Sequence, residues 1–227
     1  MAEKQATVQI GSWKPGRGGI LAIRVVVYAL LAWIFYMWPP WLHWPMWTAA
    51  ALWLGFSTYW SNQAKNSAAT KSSETAGSRR LHEALVQGAL LLLFIPLPGL
   101  RQALLPPSPW WVPAGLAMEA AGLGIAVWAR QHLGQNWSGR IEVKVEHELI
   151  RTGPYRKLRH PIYTGMLMMY LGTAVVSGTG HAALALALAL LAYARKIRLE
   201  EANLNAAFGP EYAAYRKQSW SLIPGLY

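Results

Sequence analysis

The sequence predicts an all-α, polytopic membrane helix bundle of about five or six spans, and three observations predict it. The 227 residues are 54% hydrophobic and 14% charged, where an average soluble domain is about 25% charged. Thirteen Trp and ten Tyr outnumber four Phe, and amphipathic aromatics collect at membrane–water interfaces. Apolar runs recur at residues 20–38, 46–60, 84–105, 112–129, 161–178 and 181–194.

A spanning helix needs roughly 20 residues, with about 17 as the short limit. The second and sixth runs are short by that measure and need help from their flanks. The fifth and sixth are separated only by Ser177-Gly178-Thr179-Gly180, which reads as a tight helical hairpin. Leu and Ala alternate from Ala183 to Ala192 with a strand-like period of two. Both are strong helix formers, and an open strand leaves its backbone unsatisfied in lipid, so this run is read as helix.

Six spans place both termini on one side. Twenty of the twenty-one Lys and Arg fall on that side, in the termini and in 61–83, 130–160 and 195–227, with Arg24 snorkelling toward it; only Arg101 falls opposite. This is the positive-inside pattern, so the expectation is an integral membrane protein with termini and polar site cytoplasmic. The net charge of +11 is then an orientation signal that also touches anionic lipid. A nucleic-acid partner is not expected, because no soluble basic surface is available to carry one. The absence of Cys excludes disulfides, thiolate nucleophiles and Cys-ligated metal. There is no Asp, so acidic roles fall to ten Glu. The first apolar run begins near Gly19 without a small-residue cleavage site, and no cleavable signal is expected.

Residues 1–129 read as N-terminal transmembrane helices, and 130–227 as a region of different character. The polar, Ser/Ala/Thr-rich segment 61–83 reads as a flexible cytoplasmic loop. Ile141, Val143 and Val145 alternate with Glu142, Lys144 and Glu146, a short half-buried extended piece. Gly153-Pro154 makes a turn, and Pro161 suits the first position of a helix. Phe208-Gly209-Pro210-Glu211 reads as a helix stop and restart. The tail helix carrying Tyr212 and Tyr215 is expected on the membrane face.

His160 precedes the helix opened by Pro161, where free backbone N–H groups and the positive dipole end gather. Tyr155, Arg159 and Tyr163 crowd beside it. Glu200 and Glu201 follow the last run by about two turns. They form either a solvated face pairing with Lys196 or Arg198, or carboxylates for a ribose hydroxyl or a cationic amine. Neighbours on a helix project about 100° apart, so one is expected to face the site and the other to pack or pair. Glu119, inside an apolar run, either faces a polar partner or lies hydrated near the outer interface. The spacing of His82, His132, His147 and His160 matches no metal signature, and no metal is assigned.

Gly134, His147-Glu148-Leu149-Ile150, Thr152-Gly153-Pro154-Tyr155, Arg159-His160-Pro161-x-Tyr163-x-Gly165, Glu200-Glu201-x-x-Leu204, Phe208-Gly209-x-Glu211-Tyr212-x-x-Tyr215 and Ile223-Pro224 together resemble the isoprenylcysteine carboxyl methyltransferase family. That family of integral membrane enzymes also looks related to phospholipid N-methyltransferases. The resemblance covers 130 to 227; the earlier helices match only in hydropathy. It implies a cytoplasmic S-adenosylmethionine pocket formed by the C-terminal half and capped by the tail helix. By the resemblance, cofactor contacts pass to His147, Glu148, Leu149, Ile150, Tyr155, His160, Pro161, Ile162, Tyr163 and Glu200. An Arg that the family places four residues before that Glu is Lys196 here, flanked by Arg195 and Arg198. The Trp that often follows the Gly after His-Pro-x-Tyr has no close counterpart, with Met166 to Met169 in its place.

The implied activity is methyl transfer to a lipid or lipidated acceptor, foremost a carboxylate. A carboxylate needs no general base at neutral pH, only a cation to orient it, which Arg195, Lys196 or Arg198 could supply. An amine acceptor must lose a proton, which calls on a glutamate such as Glu201. Membrane sterol reductases share the Arg-His-Pro-x-Tyr stretch and an ending like Ile223-Pro224-Gly225-Leu226-Tyr227, which leaves a nicotinamide-dependent reductase as a second class. A scaffold whose polar motif locks hairpin to tail is a third.

Overall fold

The computed structural model describes Trp33, Tyr36 and residues 38–63, 70–73, 75–134, 142–144 and 149–225. Helices dominate. After a 3₁₀ turn at Pro40–Leu42 come α1 (His43–Gln63), α2 (Ala76–Phe94), α3 (Trp111–Leu133), α4 (Pro161–Ser177), α5 (Gly180–Phe208) and α6 (Pro210–Gln218). A second 3₁₀ turn, Gly153–Arg156, precedes α4.

Two expectations change. The loop read into 61–83 carries β1 (Thr70–Ser73), which pairs antiparallel with β2 (Glu142–Lys144), and α2 begins by Ala76. Thr75 caps that helix by accepting from Ser78 N–H, the role short hydroxyl side chains fill at helix starts. The run 84–105 is not one helix, because α2 stops at Phe94. Ile95 lies before Pro96 and is extended at φ −101°, ψ 106°, since a following proline disfavours helical backbone. The run 46–60, short on hydropathy, is lengthened by its flanks into a helix of 21 residues, as expected.

Among the described residues one helix, Trp111–Leu133, is long and apolar enough to cross a membrane; Pro161–Ser177 is a shorter apolar helix. The Leu-Ala run is helical, and α5 continues through it for 29 residues. Ala182, Ala185, Ala189 and Ala192 are fully buried along it. Their spacing marks one helical face, and the small side chains admit a close neighbour.

One core is built from α1 to α5: Trp53 and Phe56, Ala89 and Leu93, Ala126, Met169 and Tyr170, and the alanine face with Tyr193. Within it α3 and α4 touch backbone to backbone. A Cβ on Gly122 would lie 2.5 Å from the Gly165 carbonyl, and one on Gly172 2.5 Å from that of Gly115. Glycines seven apart on both helices are what permit this approach. Between the two crossings Glu119 is fully buried. Its Oε2 lies 3.0 Å from Thr173 Oγ1, which also accepts from Trp53 Nε1 at 3.0 Å. Of the two settings open to Glu119, the structure shows the polar partner.

The α4–α5 hairpin is tight. Gly178 closes α4 in the left-handed region at φ 65°, a conformation natural to glycine. Its far end, where α4 starts and α5 finishes, carries the polar residues.

Candidate functional site

The approach to α4 is shaped by one glycine. Gly153 has φ 56°, and a Cβ there would lie 2.6 Å from the His132 ring. The turn lets Tyr155 stack on that ring at 6.4 Å, while His132 Nε2 bonds Thr152 Oγ1 at 2.8 Å. From Lys157 to His160 the chain is zipped to the C-terminal tail. Trp220 N–H donates to Lys157 O, Arg159 N–H to Trp220 O, and His160 N–H to Ser221 O, at 2.9, 2.8 and 3.1 Å. Tyr215 adds a hydroxyl bond to the Tyr155 carbonyl. The segment after α6 is thus held against the segment that presents His160.

Pro161 opens α4, and His160, 6% exposed, hangs at its entrance. Its ring is parallel to Tyr163, 5.6 Å away, and Tyr163 leans on Tyr193 at 5.1 Å. On α5, Tyr193, Lys196 and Glu200 stand three and four residues apart, hence on one face. Tyr163 Oη donates to Glu200 Oε1, and Lys196 Nζ lies 4.0 Å from the same oxygen.

Both glutamates grip His160. Glu200 Oε2 lies 3.6 Å from Nδ1, and Glu201 Oε1 3.4 Å from Nε2. One glutamate is expected to face the site and the other to pair; Glu201 does pair, with arginines, and both also reach His160. The two nitrogens sit on different edges of the ring, so carboxylates diverging around a helix reach one each. Glu201 also takes Arg159 Nε at 2.7 Å and Arg216 Nη2 at 3.5 Å. Arg159 in turn donates to the Ser219 carbonyl. A continuous polar chain therefore runs from the tail through Arg159, Glu201 and His160 to Glu200, Tyr163 and Lys196.

The electrostatics follow from this packing. Burial opposes protonation of His160, but hydrogen bonds and charge from Glu200 and Glu201 outweigh it and raise its pKa. Burial also works against ionised Glu200, yet His160, Lys196 and Tyr163 hold its pKa down. For Glu201, His160 and Arg159 overcome burial and lower it to about 2. Both carboxylates are anions at neutral pH.

The remaining predicted residues are placed as follows. Tyr155, Pro161 and Ile162 are buried at the entrance to α4, and Leu149 and Ile150 are half-buried before it. Arg195 turns to α2, its Nη2 2.8 Å from Ser78 Oγ. Arg198 is exposed, whereas Lys196 is buried. His147 and Glu148 lie outside the described residues.

Sequence reasoning gave no role to Arg216, Tyr193 or His82. Tyr193 was findable from its seven-residue spacing to Glu200; Arg216 reaches Glu201 only through the folding back of the tail. His82, on α2, meets Tyr193 edge-on at 5.6 Å. Its Nδ1 has no hydrogen-bond partner among the described residues. Burial and the nearby Lys196 and Arg195 charges lower its pKa to about 4.

A family model described as phospholipid methyltransferase matches residues 110–211. Protein-S-isoprenylcysteine O-methyltransferase A of Arabidopsis thaliana is 34% identical over 56% of this chain, a match spanning 64% of that protein's length. A probable protein-S-isoprenylcysteine O-methyltransferase of Oryza sativa subsp. indica is 34% identical over 61% of this chain and 76% of its own. A solved structure of the eukaryotic intramembrane Ras methyltransferase ICMT aligns at 27% identity over 51% of this chain and 43% of that one, with TM-score 0.45. On the identity and coverage of the rice relative, the chain belongs to the isoprenylcysteine carboxyl methyltransferase family.

Proposed function

We propose that this chain is an integral membrane methyltransferase that uses S-adenosylmethionine to methylate the carboxylate of a lipidated, isoprenylcysteine-type acceptor at the cytoplasmic membrane face. The observation that carries the reading is the His160 ring held between two ionised carboxylates, with Tyr163 and Lys196 gathered on Glu200.

The residues present fit such a cofactor. Its ribose hydroxyls and cationic amine suit Glu200, its carboxylate suits the amides at the α4 N-terminus, and its flat base suits the Tyr163–Tyr193 rings. The orphaned Nδ1 of His82 offers a further polar contact. When bound, S-adenosylmethionine supplies an activated methyl group, so the protein need contribute mainly position and exclusion of water. A carboxylate acceptor would take that methyl without losing a proton, so no residue of this chain need act as its base.

Of the three basic candidates Lys196 is the one to orient the acceptor. It is buried beside Glu200, while Arg195 is committed to Ser78 and Arg198 faces outward. Glu201 positions His160 and ties it to Arg159. The acceptor's apolar tail remains in the bilayer and enters past Met166.

A second reading, N-methylation of a phospholipid amine, draws on the family model over 110–211. Incubating the purified protein with labelled methyl donor and a lipid extract separates the two. Base-labile methyl esters support the first reading, base-stable N-methyl products replace it with the second, and no labelled lipid with no saturable donor binding refutes both.

A further inference from the structure

At the end of the bundle opposite His160, about 25 Å away by the length of α4, lies a cavity of about 400 Å³. It is lined by the Trp38–Leu42 segment, by Pro96, Arg101 and Ala103 after α2, and by Ser177, Thr179 and His181 of the hairpin. Its frame is hydrogen-bonded. Leu104 N–H donates to Gly178 O, Gly180 N–H to Gln102 O and His181 N–H to Leu100 O. A Cβ on Gly180 would lie 2.9 Å from the Gln102 amide. Trp38 packs on the fully buried His181 ring at 5.3 Å. The cavity is therefore built into the fold, and nothing in the methyl-transfer reading uses it.

Its floor has a definite proton inventory. His181 Nδ1 faces the Leu100 carbonyl at 3.2 Å; a carbonyl only accepts, so Nδ1 carries the ring proton. In the neutral ring Nε2 then accepts, and Thr179 Oγ1 donates to it at 3.3 Å. That uses the only Thr179 proton, so Ser177 Oγ donates to Thr179 Oγ1. The hydroxyl and ring protons of the floor are committed to the protein, and what its side chains offer is lone pairs. The wall opposite is apolar, made by Trp38, Pro39, Trp41, Leu42 and Pro96. The exposed Arg101 contributes the cation.

We propose that this cavity binds the head group of a glycerol-bearing phosphodiester lipid from the leaflet opposite the methyl-transfer site. A guanidinium pairs well with a phosphodiester. Lone pairs on the floor side chains call for hydrogen-bond donors, which the free hydroxyls of a glycerol head supply and a choline head lacks. The Trp and Pro wall, with Trp41 66% exposed, suits the first methylenes of the chain at a membrane interface. The inference shares the membrane reading above but not the methylation chemistry.

The test uses full-length protein in nanodiscs of equimolar phosphatidylglycerol and phosphatidylcholine, released and weighed by native mass spectrometry. Wild type should retain phosphatidylglycerol in preference to phosphatidylcholine. Arg101→Gln, at an exposed position, should reduce that retention about tenfold with thermal stability unchanged. Ser177→Ala should reduce it several-fold while phosphatidylcholine retention stays level. Equal retention of the two lipids, or undiminished retention by Arg101→Gln, overturns the proposal. Displacement of the lipid by millimolar glycerol 3-phosphate would assign the site to a soluble polyol phosphate and also overturn it. Retention is read without turnover, so a failed methylation assay leaves this result standing.

Discussion

Glu201→Gln isolates the charge that joins tail to site. The substitution keeps shape and one acceptor oxygen for Arg159, so what it removes is the anion between Arg159, His160 and Arg216. A folded pKa of about 2 against an ordinary 4.5 corresponds to about 3 kcal/mol favouring the folded, ionised state. The side chain is 14% exposed, so solvent screening reduces this only modestly. For a chain of this length about 3 kcal/mol lowers the unfolding midpoint by roughly 6–12 °C at pH 7. The depressed value also fixes the sign of the pH dependence. The stabilisation is complete above the ordinary carboxyl value and is lost as pH falls from there toward the folded one, with about 2 kcal/mol gone by pH 3. Scanning fluorimetry in detergent from pH 7 to pH 3 should therefore show wild type and variant converging as acid is added. Equal midpoints at pH 7, or a constant gap down to pH 3, would refute the reasoning.

Two further outcomes follow from the packing. Gly122→Ala drives a methyl group to 2.5 Å from the Gly165 carbonyl, so about 1–3 kcal/mol of overpacking should appear as a lower midpoint in the same scan; Gly124→Ala, where a Cβ meets nothing within 4 Å, is the control. Met166→Trp at the rim, whose sulfur accepts from Tyr193 Oη at 3.3 Å, should raise the apparent KM for the lipid several-fold with donor affinity by calorimetry unchanged, and unaltered lipid kinetics would place the tail's entry elsewhere.

Much of the site was legible because chain-local rules govern it. Gly153-Pro154, Pro161, Gly178 and Gly209-Pro210 each mark a turn or helix boundary, and the observed boundaries fall there. Residues 193, 196 and 200 share a face by helical periodicity alone. What sequence reasoning missed depends on contacts between distant segments. A hydropathy window over 84–105 averages across Pro96 and Pro98, although a single proline ends the helix. Met166 and Met169 look equivalent in sequence, yet Met169 is fully buried in the central core while Met166 is only partly buried.

The glutamate pair shows how a correct local rule can give an incomplete answer. The projection angle of neighbouring helical residues is fixed, and it implies divergence. It says nothing of a partner from another element that has two polar edges of its own. His160 is such a partner because Pro161 starts α4 beside it and the tail pins its backbone, leaving the ring between the two side chains. The divergence that argued against a shared partner is the geometry that lets one imidazole hold both. Arg159 then joins the arrangement to the tail through Glu201 and the Ser219 carbonyl. Position of the tail and protonation at His160 are consequently one coupled property, and a change to either is expected to be felt at Glu200 through the ring they share.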